Sequence, residues 1–340
     1  MNRRHFIATF GAATLAHTNT IHAAVAPKKP TPLFVTMIFH FDYPWYAQIQ
    51  GFRDLSKNYP QIKWTHLFNP VAYTGSPGYP PTPKAVFDYI KEEVTRKSEI
   101  GMHIHMYEGL VQAAGVVPLS NPHLNLNCQS SVGYSFPITA YKENDVKKVI
   151  EYSLKLFKEN LGGSRPVTFC PGFFVTNAAV QRQLSKLGFK VSAAAFPSGN
   201  NYGSLLYPSF DNARCWNSEW GPGITESTQP YRISKCTILP GGPPPYLDMI
   251  ELPQTCKIDA LIGGWTYLQK VFDLHYDVAK SGTASSVCFA VHDVHVADDL
   301  NSFNLLMPYI KEKEKASGKD GVSIQYATAF EVANHFRAIL

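Results

Sequence analysis

The chain has 340 residues, a formal net charge of +5 and a low share of charged residues, 17%. No cluster of lysines and arginines is interleaved with aromatic residues, which argues against nucleic acid as a partner. Aromatic residues make up 13% of the sequence, more than a core alone requires, and they favour a cleft for sugars or other flat ligands.

Residues 1–26 have the pattern of a leader that precedes the folded domain. Arg3 and Arg4 stand before a short, weakly apolar run, and small residues suited to a signal peptidase follow. This pattern predicts a twin-arginine signal peptide cleaved after Ala23, with an ordinary Sec leader as the alternative. The protein is therefore expected to be exported, to the periplasm or the surroundings of a bacterium. No later run reaches the roughly 20 apolar residues that cross a bilayer, so no membrane span is expected in the mature chain.

From residue 27 onward, apolar strand-like runs alternate with amphipathic helical stretches, which is typical of a parallel sheet with crossover helices. Strands are predicted at 33–41, 62–68, 99–107, 167–170, 189–195, 249–252, 286–291 and 322–326. A first helix is predicted to end near residue 59, and later helices are predicted at 84–97, 144–160, 177–187, 265–280, 298–315 and 329–340. Two stretches of low periodicity, 115–137 and 197–245, are predicted to be loop insertions, the second with short strands.

This alternation predicts an α/β fold in which residues 27–340 form a single domain, a distorted (β/α) barrel with about seven strands. An open, doubly wound sheet is the alternative. No glycine-rich phosphate loop follows the first strand, so no nucleotide cofactor is expected. Cys170 and Cys288 fall within predicted core strands and are expected to be free, buried thiols.

Three of the predicted strands end in histidine or aspartate residues. In parallel α/β folds the active site lies at the carboxyl ends of the strands. His103 and His105 end one strand and are two residues apart, so both side chains point to the same face. Asp42 ends the first strand, with His40 two residues before it, and His292 ends a late strand.

Two imidazoles and one carboxylate form a common site for a divalent cation. Zinc takes nitrogen and oxygen ligands and can leave one coordination position open for water. Asp42, His103 and His105 supply such a set, with His40 as a competitor for Asp42. We therefore predict a divalent metal centre with zinc as the expected ion. The alternative is that these strand-end histidines only form hydrogen bonds to nearby loops.

Three further residues are candidates for binding a substrate. Trp45 closely follows Asp42, where an aromatic ring can stack on a sugar, although core packing is an equal alternative. Glu251 ends another predicted strand, and a structural ion pair is its alternative. Pro171 directly follows the predicted strand 167–170 and is expected to lie at the same end of the sheet.

In their order along the chain, these motifs resemble those of the polysaccharide deacetylases of the NodB-homology type. Residues 99–107, with the sequence EIGMHIHMY, are similar to the strand segment that holds the metal-binding histidines of the family. Residues 163–171 are similar to its G-x-x-P-x-x-F-R-x-P segment, and residues 289–293 to its late L-x-H motif.

The resemblance implies a distorted (β/α) barrel, a bound divalent metal and removal of acetyl groups, as amides or esters, from a carbohydrate. It also implies a role for three residues of this chain. Asp42 is implied as the base or a metal ligand, His103 as a metal ligand and His292 as the general acid.

The chain departs from the family pattern at three positions. Tyr43 stands where the family has a second aspartate, and Tyr107 stands where it has a second histidine, which leaves His105 as the substitute. Cys170 replaces the arginine that orients the catalytic carboxylate. The sequence therefore predicts a metal-dependent carbohydrate deacetylase. Hydrolysis of a glycosidic or other amide bond and a catalytically inactive carbohydrate-binding or cell-envelope protein are the alternatives.

Overall fold

The computed structural model describes residues 29–42, 46–96, 98–119, 133, 135, 137–163, 165–197, 223–257, 264–292 and 296–340. The predicted leader and large parts of both predicted insertions lie outside these residues. Within the described part of the chain, no helix combines the length and the apolar composition needed to cross a membrane.

The described residues form ten strands in a single sheet and nine α-helices. The strands are β1 (Thr31–Phe41), β2 (Trp64–Phe68), β3 (Glu99–Ile104), β4 (Thr168–Pro171), β5 (Val191–Ser192), β6 (Tyr231–Ser234), β7 (Tyr246–Glu251), β8 (Cys256–Lys257), β9 (Ser285–His292) and β10 (Val322–Tyr326). The helices are α1 (Tyr46–Asn58), α2 (Val71–Thr74), α3 (Lys84–Thr95), α4 (Glu108–Ala113), α5 (Glu143–Asn160), α6 (Ala178–Lys186), α7 (Gly264–Lys280), α8 (Val296–Asp320) and α9 (Ala329–Ile339).

The strand order is β6-β7-β5-β4-β3-β2-β1-β9-β8, and β10 pairs with the beginning of β1. Every pairing is parallel except that of β6 with β7. The predicted α/β fold with a mainly parallel sheet is therefore confirmed. The prediction of about seven strands is not confirmed, because the described sheet has ten. Among them, β8 has only two residues, and β6 lies within 197–245, where short strands were expected without defined positions.

Strand β1 is the centre of the sheet and positions the site. All of its residues from Leu33 to Phe41 are buried, since strands lie on both sides of it and packed side chains cover both of its faces. Ile38 shares one face with the interior side chains of Cys170 and Cys288. Both cysteines are free and buried, as predicted. His40 and Asp42 continue the face of Ile38, because side chains of a strand alternate between its faces.

His275, on α7, illustrates how the fold uses a buried histidine away from the strand ends. Its Nδ1 lies 2.9 Å from the Ser285 hydroxyl and 3.0 Å from the side-chain nitrogen of Gln229. Its Nε2 lies 2.7 Å from the carbonyl oxygen of Glu226, to which it donates. These contacts join α7 to β9 and to the segment before β6.

Burial lowers the pKa of His275 to about 4. In the unfolded chain a histidine titrates near pH 6.5, so the unfolded state binds the extra proton first as the pH falls. The stability that this neutral histidine provides is full above about pH 6.5 and is lost as the pH falls towards 4. We expect His275→Gln to reduce the loss of unfolding free energy between pH 7 and pH 5 by about 2 kcal/mol, measured by urea unfolding. An unchanged pH dependence would contradict this.

Candidate metal centre

Asp42, His103 and His105 meet at the carboxyl ends of β1 and β3. The Nε2 atom of His103 lies 2.7 Å from Oδ1 of Asp42, and Nε2 of His105 lies 3.3 Å from the same oxygen. The ligand atoms that the three residues offer lie within 4.8 Å of one another. Both histidines are buried, and the Asp42 side chain is 15% exposed, so the set is open to solvent on the side of the carboxylate.

A hydrogen bond of His103 determines which of its ring nitrogens carries the hydrogen and which has the lone pair. Nδ1 lies 3.0 Å from the carbonyl oxygen of Cys170, and a carbonyl only accepts, so Nδ1 carries the hydrogen. In the neutral ring Nε2 is then a lone-pair atom placed 2.7 Å from a carboxylate oxygen. Two such atoms approach that closely only when a proton or a cation lies between them. A histidine whose other nitrogen donates to a carbonyl is also the usual arrangement of a metal ligand, so these residues fit a divalent cation.

The pKa values of Asp42 and His105 are both shifted downwards. Burial alone would raise the pKa of Asp42, but the charges and hydrogen bonds of His103 and His105 hold it well below its usual range. Burial lowers the pKa of His105, against the opposing attraction of Asp42. An ionised carboxylate and a neutral imidazole are the forms that coordinate a cation.

The turn after β4 packs directly against the histidines. A Cβ atom on Gly172 would lie 2.6 Å from Nδ1 of His105, so only glycine allows this approach. The ring of Phe173 lies edge-on to His105 at a centroid distance of 4.7 Å, and that of Phe174 lies 5.6 Å from His40. Both phenylalanines have positive φ angles, 59° and 60°. Such backbone strain in non-glycine residues is typical of functional sites.

Glu251 and Pro171 are buried close to the strand ends. Oε1 of Glu251 accepts hydrogen bonds from the backbone nitrogens of Ala194 and Ala195, at 2.8 and 2.7 Å, and burial raises the pKa of Glu251 to about 7. The carboxyl group thus holds the chain that follows β5. Pro171 pairs with Ile104 across β4 and β3. A role for either residue in substrate binding stays a prediction.

Two predicted site residues cannot be placed. Trp45 lies outside the described residues, and so does the side chain of His292. The backbone of His292 is described and pairs with that of His40 across β9 and β1. The general-acid role of His292 therefore stays a prediction, on a strand that neighbours the metal set.

Gln254 was not identified from the sequence. Its side-chain nitrogen donates to the carbonyl of Ala193 at 2.6 Å, and its Oε1 lies 2.9 Å from Nε2 of His40. The bond to His40 joins residues 214 positions apart in the sequence. The sequence indicates a role for Gln254 only through its position, three residues after the end of β7. A side-chain amide that is buried there needs hydrogen-bond partners.

No family model matches this sequence, and no curated protein matches it either. Among solved structures, a protein described as a polysaccharide deacetylase from Mycobacterium smegmatis has a TM-score of 0.53 and 11% identity, over 92% of each chain. A mutant peptidoglycan deacetylase from Bacillus subtilis has a TM-score of 0.39 and 11% identity, over 92% of this chain and 96% of that one. A polysaccharide deacetylase from Bacillus cereus has a TM-score of 0.38 and 12% identity, over 88% of this chain and 92% of that one.

The chain has the polysaccharide deacetylase fold. The likeness to the Mycobacterium smegmatis protein covers both chains almost completely and carries this conclusion. The resemblance inferred from the sequence motifs is thus confirmed at the level of the fold. With 11% identity, the chain is a divergent example of it.

Proposed function

We propose that this protein is a metal-dependent hydrolase that removes acetyl groups from a carbohydrate. The observation that carries the proposal is the meeting of Asp42, His103 and His105 at the strand ends of this fold. Zinc is the expected ion, since two imidazoles and one carboxylate suit it and leave a position open. The expected substrate is an N- or O-acetylated glycan.

The chemistry that a divalent cation supplies when bound is polarisation of the acyl carbonyl and a lowered pKa of water. His103 and His105 hold their Nε2 atoms towards Asp42, and the three side chains together would hold the cation. Asp42 is proposed to accept a proton from water. His292, on the neighbouring strand end, is proposed to protonate the leaving amine or alkoxide.

A carbohydrate-binding protein without turnover is the second candidate function. Cys170 favours it, because a buried neutral thiol occupies the position of the arginine in the resembling family. Burial raises the pKa of Cys170 well above its usual range, so the thiol stays neutral. A neutral thiol cannot orient Asp42 by charge as an arginine would.

Metal content and acetate release separate these two functions. We expect the purified protein to retain one divalent ion per chain and to release acetate from a member of a panel of N- and O-acetylated oligosaccharides. Oligosaccharide binding with a bound metal and no release would favour the binding protein. Full metal content and unchanged thermal stability in the double variant His103→Ala, His105→Ala would exclude the proposed centre.

We also propose that residues 1–26 are a twin-arginine signal peptide with a short spacer and that residues 27–340 are the single folded domain. The proposal rests on Arg3 and Arg4 ahead of the apolar run. Expression in a bacterium with an active twin-arginine pathway is expected to give periplasmic protein that begins after Ala23. Arg3→Lys with Arg4→Lys should leave the chain inside the cell, measured by fractionation and mass spectrometry of the N-terminus.

A substitution at Gly172 tests the proposed metal centre without changing Asp42, His103 or His105. Gly172→Ala adds a methyl group 2.6 Å from Nδ1 of His105, so the ring must shift from its present position beside Asp42. We expect a loss of about 10-fold in affinity for Mn²⁺, similar to other changes next to metal ligands, by isothermal titration calorimetry. Gly318→Ala is the control, since nothing lies within 4 Å of its added methyl group. Equal affinities in the two variants would show that the turn does not position His105.

A further inference from the structure

The rings at the candidate metal centre contact one another in succession. The ring of His40 is nearly perpendicular to that of His103, at a centroid distance of 4.8 Å, and the ring of His103 is nearly perpendicular to that of His105, at 4.7 Å. Phe174 packs against His40, and Phe173 packs against His105. Such edge-to-face contacts are the preferred packing of aromatic rings. The two proposed imidazole ligands are therefore packed between the rings of His40 and Phe173.

The orientation of the His103 ring depends on its contact with His40. Nδ1 of His103 donates to the carbonyl oxygen of Cys170 at 3.0 Å. A carbonyl oxygen accepts hydrogen bonds over a broad range of directions, so this bond alone does not fix the tilt of the ring. The perpendicular ring of His40 limits that tilt. The direction in which Nε2 of His103 points, 2.7 Å from Asp42, thus depends on where the His40 ring lies.

Gln254 holds the His40 ring by a hydrogen bond. Nε2 of Gln254 donates to the carbonyl of Ala193 at 2.6 Å, so Oε1 is the atom that faces His40, 2.9 Å from its Nε2. That oxygen only accepts, and Nε2 of His40 therefore carries a hydrogen. The backbone nitrogen of Gln254 donates to the carbonyl of Ala195 at 2.9 Å. The fully buried Gln254 is thus fixed through both its side chain and its backbone.

We infer that Gln254 is a positioning residue of the metal centre, which fixes the His40 ring and, through that ring, the orientation of His103. Residues that orient metal ligands affect metal affinity without contacting the ion. The inference rests on the proposed metal centre and adds to it a residue that acts through another. It does not require turnover.

Gln254→Met in the full chain tests the inference. Methionine is also long and unbranched, but it has no amide to bond His40 or Ala193. We expect the affinity for Mn²⁺ to fall about 10-fold, as is usual when a residue that orients a metal ligand is removed, measured by isothermal titration calorimetry. His40→Phe keeps a ring but removes its N–H, and it should cause a similar loss. The double variant should bind no more weakly than either single variant, because both changes remove the same hydrogen bond.

Gln181→Met is the matched control. Gln181 is an equally buried glutamine on α6, and its Nε2 donates to the hydroxyls of Ser192 at 2.9 Å and Thr176 at 3.3 Å. The same substitution there removes hydrogen bonds of a buried amide that does not bond to His40. We expect it to lower the thermal stability and to leave the affinity for Mn²⁺ at the wild-type value. A loss of affinity confined to Gln254→Met then separates positioning from a general loss of stability.

A measurement on the wild-type chain does not depend on whether any variant folds. Two-bond ¹H–¹⁵N correlation spectra of the Zn²⁺-loaded chain report which imidazole nitrogens carry hydrogen. They should show hydrogen on Nε2 of His40, because Oε1 of Gln254 can only accept.

Three results would overturn the inference. They are equal Mn²⁺ affinities in Gln254→Met and Gln181→Met, losses that add up in the double variant, and an Nε2 of His40 without hydrogen. Acetate release by the wild-type chain is measured separately. Affinity that responds to Gln254 without any release would support the inference and count against the proposed turnover, and release with an unresponsive affinity would do the reverse. A wild-type chain that binds no Mn²⁺ would overturn both.

Discussion

Asp42→Asn is expected to weaken binding of Mn²⁺ by at least about 100-fold. The change removes the carboxylate of the set formed with His103 and His105 and replaces an ionised ligand by a neutral amide. Mn²⁺ prefers oxygen ligands, so the two imidazoles that remain cannot compensate for the loss of the carboxylate. Acetate release should fall by about 10² to 10⁴-fold, because the same substitution removes the proposed base. Calorimetric titration with Mn²⁺ and an acetate assay measure the two effects.

Asp88→Asn is the matched control for this change. Asp88 is an exposed carboxylate on α3 that pairs with Lys84, and the same substitution there removes the same charge from the chain. Its affinity for Mn²⁺ should equal that of the wild type. If Asp42→Asn binds Mn²⁺ as tightly as the control does, the carboxylate at the strand end is not a ligand and the proposed centre is wrong.

The bounds of helices and strands were predicted most accurately where a hydrophobic pattern extends over enough residues to show its period. The helix predicted at 144–160 is α5, Glu143–Asn160, and the strand predicted at 322–326 is β10. Short strands were expected within 197–245, but β6 could not be located there and β8 was missed, because two to four residues are too few to show a period. β5 was predicted at 189–195 but pairs only over Val191–Ser192. The amide of Ala193 still donates to Phe169 of β4, whereas those of Ala194 and Ala195 donate to the Glu251 side chain.

The site was predicted from a rule about sheets, and its details depend on contacts that no local pattern contains. Carboxyl ends of parallel strands lie at one edge, which is why Asp42, His103 and His105 meet. Gln254 reaches His40 from far along the chain, and its own orientation depends on a backbone carbonyl. The left-handed backbone conformation of Phe173 could not be predicted from the sequence either, because phenylalanine has no local preference for it.

Glu93 is a buried carboxylate on α3, and its removal is expected to destabilise the fold. It accepts hydrogen bonds from Nε2 of His66 at 3.1 Å, from the Ser98 hydroxyl at 2.6 Å and from Arg96 at 3.4 Å. Burial alone would raise the pKa of Glu93, but the hydrogen bond and charge of His66, followed by those of Ser98 and Arg96, lower it below its usual value. A carboxylate with a lowered pKa stabilises the fold above the unfolded pKa, and this contribution is lost as the pH falls through the folded pKa.

Glu93→Ala is therefore expected to lower the unfolding free energy by about 3–5 kcal/mol at neutral pH, because it leaves His66 buried without its partner. Glu92→Ala is the control on the same helix. Glu92 is half exposed and pairs with Arg53 at 2.9 Å, and such surface pairs are worth at most about 1 kcal/mol. Urea unfolding of both variants measures the difference, which should shrink at acidic pH as the carboxylate of the wild type is protonated. Equal losses in the two variants would mean that the buried pair of His66 and Glu93 adds nothing beyond a surface ion pair.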